Sequence, residues 1–225
     1  MFSDLFNRAA PLYPVVLLEP LRRAYFSIAT KWVDVRERAI FLMRHGVTEW
    51  NRLGIWQGWK GPGLNKAGKE QAEMAGRKLA GIKFSAIYSS DLPRSYETAV
   101  IISQVIDAPA PVPASCLRER DLGQLSGRSM KEIADLFPNL RMEREALGAN
   151  DIYGVESWKD FNERVASCFN GLIENSGKNV LIVTHGGCIM SLVRTLVDPS
   201  FDQILDNCGI LKLSWDSRRY RYERI

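Results

Sequence analysis

Apolar runs with the character of strands alternate with helical patterns along most of this chain. Residues 39–43 and 180–184 are continuous apolar segments of the kind that form central strands, and residues 86–89 predict a further strand. Residues 210–215 and 220–222 predict a terminal pair of strands around a turn at Asp216 and Ser217, and Val112 allows a brief edge strand. This alternation predicts an α/β fold with a mostly parallel central sheet and helices on both faces.

Five helices are expected between these strands, the fifth of them directly after the His185-Gly186-Gly187 segment. Asn65 is predicted to cap the first, Ser90 or Asp91 the second and Ser157 the fourth, and a capping-box pattern at Ser129 precedes the third. The positions predicted to face inward are Ala72, Ala75 and Leu79; Ala99, Ile102, Val105 and Ile106; Ile133, Leu136 and Phe137; and Trp158, Phe161, Val165, Cys168, Phe169 and Leu172.

Residues 1–38 are interpreted as an N-terminal extension before one domain at 39–225. A helical repeat of apolar residues follows Pro20, and it predicts a helix that packs on the domain. The helix is also a candidate for a homodimer interface or a membrane-surface anchor. The apolar stretch at residues 11–18 is too short to span a membrane.

Composition narrows the functional classes. The chain has 225 residues, 46% of them hydrophobic, which suits a single domain with a substantial core. A net charge of +4 favours anionic small molecules but does not form the clustered basic stripe of a nucleic-acid binder. The four cysteines are widely spaced, without a zinc or redox pair or a dense disulfide pattern, which favours a reducing cytoplasm.

Four cationic or titratable side chains follow predicted strands. Arg44 and His45 end the first, Arg94 lies in the helical turn after the second, and His185 ends the long apolar run. Because the carboxyl ends of parallel strands meet at one edge of a sheet, these residues are expected to converge. Such an electropositive pocket suits a phosphate dianion and biases His45 towards the neutral form that a nucleophile needs. His45 is therefore the predicted nucleophile, which would form a phosphohistidine.

The remaining roles follow from the chemistry of phosphoryl transfer. Arg44, Arg94 and a protonated His185 are expected to stabilise charge on the phosphoryl oxygens, assisted by backbone N–H groups after His185. The leaving alkoxide needs a proton, for which Glu119 is the predicted donor. Two other acids, Asp121 and Glu156, stay open as alternatives.

The residues from Arg44 to Asn51 resemble the R-H-G-x-T-x-x-N signature of the histidine phosphatase superfamily, also called the phosphoglycerate mutase-like family. Further blocks in the same order are Trp56 to Gly58, Tyr88 to Arg94 with Glu97 to Ala99, Leu117 to Gly123, Gly154 to Ser157, and Thr184 to Gly187.

The resemblance implies a three-layer α/β sandwich and the roles given above. It adds Asn51, Gln57 and Gly186 as phosphate-binding positions, with no cofactor and no metal. One departure concerns residues 61–64: the family often has an aspartate before the proline-leucine pair, whereas this chain reads Gly-Pro-Gly-Leu. The shape of the substrate-side loop is therefore open.

The predicted function is hydrolysis of a small phosphomonoester, a phosphorylated metabolite, by a cytoplasmic phosphatase. The alternative is a phosphoglycerate mutase, which is disfavoured because residues 127–154 are short and lack the adjacent arginine pair of such mutases. An inactive scaffold and a metal phosphoesterase are weaker alternatives. Cys188 and Arg194 fit the spacing of cysteine phosphatases, but the residues between them favour a buried helix.

Overall fold

A single mixed sheet organises the residues that the computed structural model describes, which are 38–136, 152–215 and 219–225. The strands are β1 (Ala39–Arg44), β2 (Ala86–Ser89), β3 (Val112–Pro113), β4 (Asn179–Thr184), β5 (Ile210–Trp215) and β6 (Tyr220–Arg224). Their order across the sheet is β3-β2-β4-β1-β5-β6. The first four run parallel to one another, and β5 and β6 add an antiparallel edge. The predicted, mostly parallel sheet is confirmed.

Helices cover both faces of this sheet. They are α1 (Glu49–Arg52), α2 (Lys66–Lys78), α3 (Pro93–Val105), α4 (Met130–Leu136), α5 (Trp158–Glu174) and α6 (Gly186–Leu196). The alternation of side chains along β1 shows why two layers are needed: Ile40 and Leu42 pack with α5 and α6, whereas Phe41 and Met43 pack with α2 and α3. All four side chains are at most 2% exposed, so an apolar residue is required at every position of the strand. The three-layer α/β architecture is confirmed.

Three of the predicted helix starts have the expected hydrogen bonds. The side chain of Asn65 accepts from the N–H of Gly68, and Ser157 Oγ accepts from the N–H of Asp160. Ser129 and Glu132 exchange the reciprocal bonds of a capping box.

The predicted cap of α3 is wrong. Its N-cap residue is Leu92, which makes no side-chain capping bond, and Pro93 occupies the first helical position. Proline suits this position because it lacks the N–H that a cap would satisfy. Ser90 and Asp91, the two expected caps, instead bind His185 and Arg118.

Three side chains that were predicted to face inward are substantially exposed: Val105 (37%), Leu136 (46%) and Trp158 (39%). Each lies in a terminal turn, where a helix leaves the layer that it covers. Val105 packs against Gly76 of α2, where an added Cβ would lie 2.8 Å away, and Trp158 lies under the guanidinium of Arg120 at 4.0 Å. The other described inward positions are buried or half-buried.

Two of the four cysteines are paired, contrary to the expectation from their spacing. Cys116 and Cys168 form a disulfide with a Cα–Cα distance of 5.7 Å, whereas Cys188 and Cys208 are free. The paired cysteines are 52 residues apart, so only the packing of α5 beside residues 115–117 brings them together. Because disulfides persist in oxidising compartments, the cysteine content no longer supports a reducing cytoplasm.

Some predictions fall outside the described residues. These are the N-terminal helix, Phe137, and the turn at Asp216 and Ser217. No helix in the described part of the chain is both long enough and apolar enough to cross a bilayer.

Candidate active site

The carboxyl ends of β1 and β4 place two histidines side by side. Arg44 pairs with Thr184 in the parallel register, and the N–H of His45 donates to the carbonyl of Thr184 at 2.9 Å. The next residue on each strand is therefore a histidine at the same edge of the sheet. The rings of His45 and His185 lie 5.2 Å apart between centroids, at an interplanar angle of 60°. The predicted convergence of strand-end residues is present.

The hydrogen bonds of His45 determine its tautomer. Arg94 Nε–H donates to His45 Nε2 at 3.3 Å, and since a guanidinium can only donate, Nε2 must be the unprotonated nitrogen. Nδ1 carries the proton and donates to the carbonyl of Gly46 at 2.8 Å. Burial, followed by the charges of Arg94 and Arg44, lowers the pKa of His45 well below its ordinary value. His45 is neutral at pH 7, and its Nε2 lone pair, which accepts from Arg94 here, becomes available to an electrophile once that donor is withdrawn.

Arg94 is almost completely buried, with 1% of its surface exposed. Its two terminal nitrogens donate to the carbonyls of Gly58 (2.7 Å) and Lys60 (2.9 Å). Burial lowers its pKa to about 10, so that the guanidinium stays charged at pH 7. Thr98, one turn later on α3, donates to the Arg94 carbonyl and accepts from the N–H of Gly46, which ties α3 to the loop after β1.

Arg44 brings a second, half-buried cation to the site. One terminal nitrogen donates to the carbonyl of Leu205 at 2.6 Å, whereas its Nε is buried without a hydrogen-bond partner in the described structure. Burial lowers the pKa of Arg44, although the negative charges of Glu119 and Asp206 oppose this shift. A buried N–H group without a partner is costly, and a bound anion would supply an acceptor.

His185 is the second histidine of the site. Its Nε2 lies 2.9 Å from Ser90 Oγ, and its buried Nδ1 has no partner within the described ranges. Burial, followed by the charges of Arg94, His45 and Arg44, lowers its pKa well below the ordinary value. Without a bound anion His185 is therefore neutral, and its protonated state stays a prediction for the phosphate-bound site. The sequence alone did not reveal that this ring is fully buried.

The carboxylate of Glu119 lies against the N-terminus of α6. Its Oε2 accepts from the N–H of Gly187 at 3.0 Å, and its Oε1 accepts from the N–H of Arg120 at 2.9 Å. A Cβ on residue 187 would lie 2.3 Å from Oε1, so the carboxylate occupies space that only a glycine leaves open. The backbone N–H after His185 that was expected to face a phosphate is thus bound to Glu119.

The two alternative acids make structural contacts. Asp121 Oδ1 accepts from the N–H of Gly123 at 2.9 Å. Glu156 forms two hydrogen bonds with Arg164, of 2.8 and 2.7 Å. Both carboxylates therefore hold the backbone or a neighbouring side chain in place.

Asn51 and Gln57 lie beside Thr48, at the start of α1. Thr48 is the N-cap of α1 and exchanges capping-box hydrogen bonds of 3.1 Å with Asn51. Gln57 Oε1 accepts from Thr48 Oγ1 at 3.1 Å. These contacts give both residues a structural function, and their binding of phosphate stays a prediction. Gly186 begins α6 beside Arg44, where an added Cβ would lie 3.7 Å from the arginine Nε.

The substrate-side loop that departs from the family pattern is held by Glu97. The carboxylate of Glu97 accepts from the N–H of Leu64 at 2.9 Å. A Cβ on residue 63 would lie 2.3 Å from the same carboxylate, so a larger residue there would displace Glu97 from this loop.

The cysteine-phosphatase spacing has no catalytic geometry. Cys188 is fully buried in α6, and burial raises the pKa of its thiol. Arg194 donates to the carbonyl of Phe201 instead of facing this thiol. The prediction that Cys188 belongs to the core is confirmed. Among residues 38–136, 152–215 and 219–225, no group of three or more His, Cys, Asp or Glu could hold a metal ion.

The sequence interpretation missed several residues that shape the site. Ser90 was expected to be a helix cap, and Thr98 was noted only as part of a matching block. Asn207, whose side chain donates to the His45 carbonyl at 2.9 Å, had no signal, because it lies 162 residues away in an irregular segment.

Comparison with known proteins places this geometry in context. The profile of the histidine phosphatase superfamily (branch 1) matches residues 40–225. The 2,3-bisphosphoglycerate-dependent phosphoglycerate mutase of Bartonella quintana (strain Toulouse) is 33% identical over 177 residues, which cover 75% of this chain and 85% of that protein. The phosphoglycerate mutase of Schizosaccharomyces pombe is 31% identical over 175 residues, covering 74% and 82%.

Solved structures with the same fold include enzymes of both reaction types. A phosphoglycerate mutase from Bacillus anthracis superposes with a TM-score of 0.73 at 25% identity, covering 86% of this chain and 95% of that chain. A mycobacterial glucosyl-3-phosphoglycerate phosphatase in complex with VO3 gives 0.72 at 27% identity, covering 83% and 98%. The chain belongs to the histidine phosphatase superfamily.

Proposed function

We propose that this protein is a phosphatase that hydrolyses a small phosphomonoester through a phosphohistidine at His45. The observation that carries this proposal is the state of His45: a neutral imidazole whose Nε2 lone pair accepts from Arg94, at a site that Arg44 makes doubly cationic. A phosphate ester attracted by Arg44 and Arg94 would present its phosphorus to that lone pair.

In the first step, His45 Nε2 forms a bond to phosphorus while the ester P–O bond breaks. Glu119 would give its proton to the departing alkoxide, which makes an alkyl oxygen a competent leaving group. In the second step, water adds to phosphorus, the N–P bond breaks and the Glu119 carboxylate takes up the water proton. Inorganic phosphate leaves, and His45 is again neutral.

The bound dianion would change the state of the pocket. A phosphate supplies acceptors for the unpartnered Arg44 Nε and can accept from His185 Nδ1 once that ring is protonated. Because a nearby negative charge raises the pKa of an imidazole, His185 would gain its proton on binding and then stabilise the equatorial oxygens. Asn51, Gln57 and the N–H of Gly186 are the proposed additional phosphate contacts.

The second candidate is a phosphoglycerate mutase, in which the phosphoryl group on His45 passes to another hydroxyl of the substrate. It is favoured by the names of the similar curated proteins from Bartonella quintana and Schizosaccharomyces pombe. The phosphatase proposal is supported by the similar mycobacterial phosphatase and by the short chain between Gly127 and Gly154.

A panel of phosphate esters, including sugar phosphates, nucleotides and phosphoglycerates, separates the candidates. Release of inorganic phosphate supports the phosphatase, whereas interconversion of phosphoglycerates that needs added 2,3-bisphosphoglycerate supports the mutase. Acid-labile phosphate on His45 and loss of turnover in His45→Ala are expected for both. Turnover that persists in His45→Ala, or that EDTA abolishes, would overturn the histidine mechanism.

A further inference from the structure

The segment that carries Glu119 is an irregular loop held by side chains. We call residues 116–121 the acid loop. Four successive carbonyls of this loop, from Cys116 to Glu119, accept hydrogen bonds from side chains on other elements. Peptide groups without partners in a helix or sheet need such bonds when they are buried. The position of Glu119 therefore depends on those side chains.

Arg164 makes most of these contacts. It projects from α5, and its Nη1 donates to the carbonyls of Cys116 at 2.9 Å and Arg118 at 3.0 Å. Its Nη2 donates to the carbonyl of Glu119 at 3.3 Å. One guanidinium thus binds three carbonyls of the acid loop, and the third is the carbonyl of Glu119, the proposed acid.

Arg164 is itself fixed in orientation. Its Nε and Nη2 bind the two carboxylate oxygens of Glu156 at 2.8 and 2.7 Å, and Glu156 also accepts from the N–H of Asp121 at 3.1 Å. Although burial acts to lower the pKa of Arg164, the hydrogen bond and charge of Glu156 raise it overall. Phe161 and Val165, on either side of Arg164 in α5, are fully buried and anchor this part of the helix in the core.

Trp59 connects the same carbonyl to the other side of the site. Its indole N–H donates to the Glu119 carbonyl at 2.7 Å, and its ring lies 4.8 Å from the guanidinium of Arg118 and 5.9 Å from that of Arg164. Trp59 lies between Gly58 and Lys60, whose carbonyls hold Arg94. The Glu119 backbone is thus linked to the loop that fixes the arginine beside His45.

We propose that Arg164 is a positioning residue that sets the reach of the Glu119 carboxylate towards the leaving group, with Trp59 as its partner. This inference rests on the proposed function. Arg164 does not touch the substrate, and acts only through the acid loop. A lysine cannot replace it, since a single ammonium lacks the planar fork that reaches three carbonyls and Glu156 together.

The test compares two substrates that differ in their need for an acid. An alkyl phosphate needs a proton on its leaving oxygen, whereas p-nitrophenyl phosphate releases a stable phenolate without one. Because hydrolysis of the phosphohistidine is common to both esters, the comparison uses kcat/KM, which reports only the steps up to departure of the leaving group. Arg164→Lys is expected to lower kcat/KM on the alkyl ester by about tenfold to a hundredfold and to change kcat/KM on the nitrophenyl ester by less than about threefold. Lys159→Gln, at an exposed position on the same helix, is the matched control.

Two further variants complete the test. In a Glu119→Gln background, Arg164→Lys should have no further effect on the alkyl ester, because the proton donor is already absent. If Arg164→Lys does not fold, Trp59→Phe removes the indole N–H that donates to the Glu119 carbonyl but keeps an aromatic ring at this position, and it should give the same leaving-group dependence to a smaller extent.

Equal losses on both esters, or losses additive with Glu119→Gln, would overturn the inference and leave the proposed function intact. An inactive wild type, or a Glu119→Gln variant as active as wild type on alkyl esters, would overturn the proton-donor role of Glu119 and the inference with it.

Discussion

Arg94 donates a hydrogen bond to the nitrogen of His45 that carries the lone pair. This 3.3 Å contact between Nε and Nε2 keeps the imidazole in one tautomer and opposes its protonation. It also occupies the atom that is proposed to attack phosphorus. A bound phosphate must therefore accept this hydrogen bond in place of His45. The Arg94 guanidinium would then donate to the nucleophile before binding and to the phosphoryl oxygens afterwards.

Arg94→Lys should reduce kcat by about a hundredfold, because an ammonium cannot serve the phosphate and both loop carbonyls at once. Loss of a partner for the Gly58 or Lys60 carbonyl should also lower the free energy of unfolding by about 1–3 kcal/mol. Steady-state kinetics and urea denaturation measure the two effects. Arg128→Lys, on an exposed loop, is the control, and wild-type turnover in Arg94→Lys would contradict the proposed role.

Acidification should lower the free energy of unfolding over a pH range that is set by the two histidines. Their pKa values are lowered well below the ordinary value of 6.5 in the folded state, so below that pH the unfolded chain takes up protons that the folded chain excludes. The contribution of the two neutral histidines to the free energy of unfolding is therefore fully present above about pH 6.5. Below that pH the free energy of unfolding falls by at most about 1.4 kcal/mol per histidine for each pH unit.

Urea denaturation between pH 7.5 and about 5.5, in a buffer free of phosphate, measures this slope. The chain contains only these two histidines, so no other imidazole contributes to the slope. The hydrogen bond from Arg118 lowers the pKa of Asp91, so that this carboxylate titrates at a more acid pH. His45→Gln should halve the slope. Added phosphate or vanadate should weaken it, because an anion favours the protonated form of His185. A stability that is flat or rises on acidification would show that the histidines are not held neutral.

Gly187→Ala tests whether activity depends on the position of the Glu119 carboxylate. The added methyl group would lie 2.3 Å from Glu119 Oε1 and must displace the carboxylate, so kcat on alkyl esters should fall at least about tenfold. The matched control is Gly171→Ala in α5, where no atom lies within 4 Å of the added Cβ. It should leave kcat unchanged and stabilise the protein by about 0.8–1 kcal/mol, through helix propensity. Equal activity of the two variants would show that the position of Glu119 is not critical.

The disulfide should contribute to stability. Closing a loop between residues 52 apart restricts the unfolded chain, which corresponds to about 4 kcal/mol in the chain-entropy model. The double variant Cys116→Ser, Cys168→Ser should therefore unfold at lower urea concentration than wild type, and dithiothreitol should affect wild type only. Cys208→Ser is the control, at a free cysteine. Thiol titration in denaturant should find two free thiols without reductant, and four would contradict the pairing.

Much of the framework could be predicted because the signals are local. The run from Ile40 to Met43 and the run from Val180 to Ile182 are short and apolar throughout, which is typical of strands that are buried on both faces. Arg44, His45 and His185 follow directly from those strands, and parallel strands bring their ends together whatever lies between them. The caps at Asn65 and Ser157 were predictable for the same reason, because a cap acts within three residues.

The errors arise where distant segments compete for a group. Ser90 was available to cap α3, but His185 binds it from a strand 95 residues later. The neutral state of His185 without an anion likewise follows from burial by residues distant in the chain, which lowers its pKa. The pairing of Cys116 with Cys168 depends in the same way on where α5 packs. The hydrogen bonds from Arg164 to the acid loop depend on the same packing.

By itself, the sequence determined the α/β class, the strand ends that carry the cationic residues and the histidine that is proposed to react. Only the tertiary structure decided the tautomer and charge of the two histidines, the pairing of the cysteines and the partners that hold Glu119. The physical reason is the distance along the sequence over which each effect acts. Hydrophobic periodicity and capping are set by neighbours a few residues apart, whereas burial, pKa and long-range hydrogen bonds depend on groups that meet only when the layers pack.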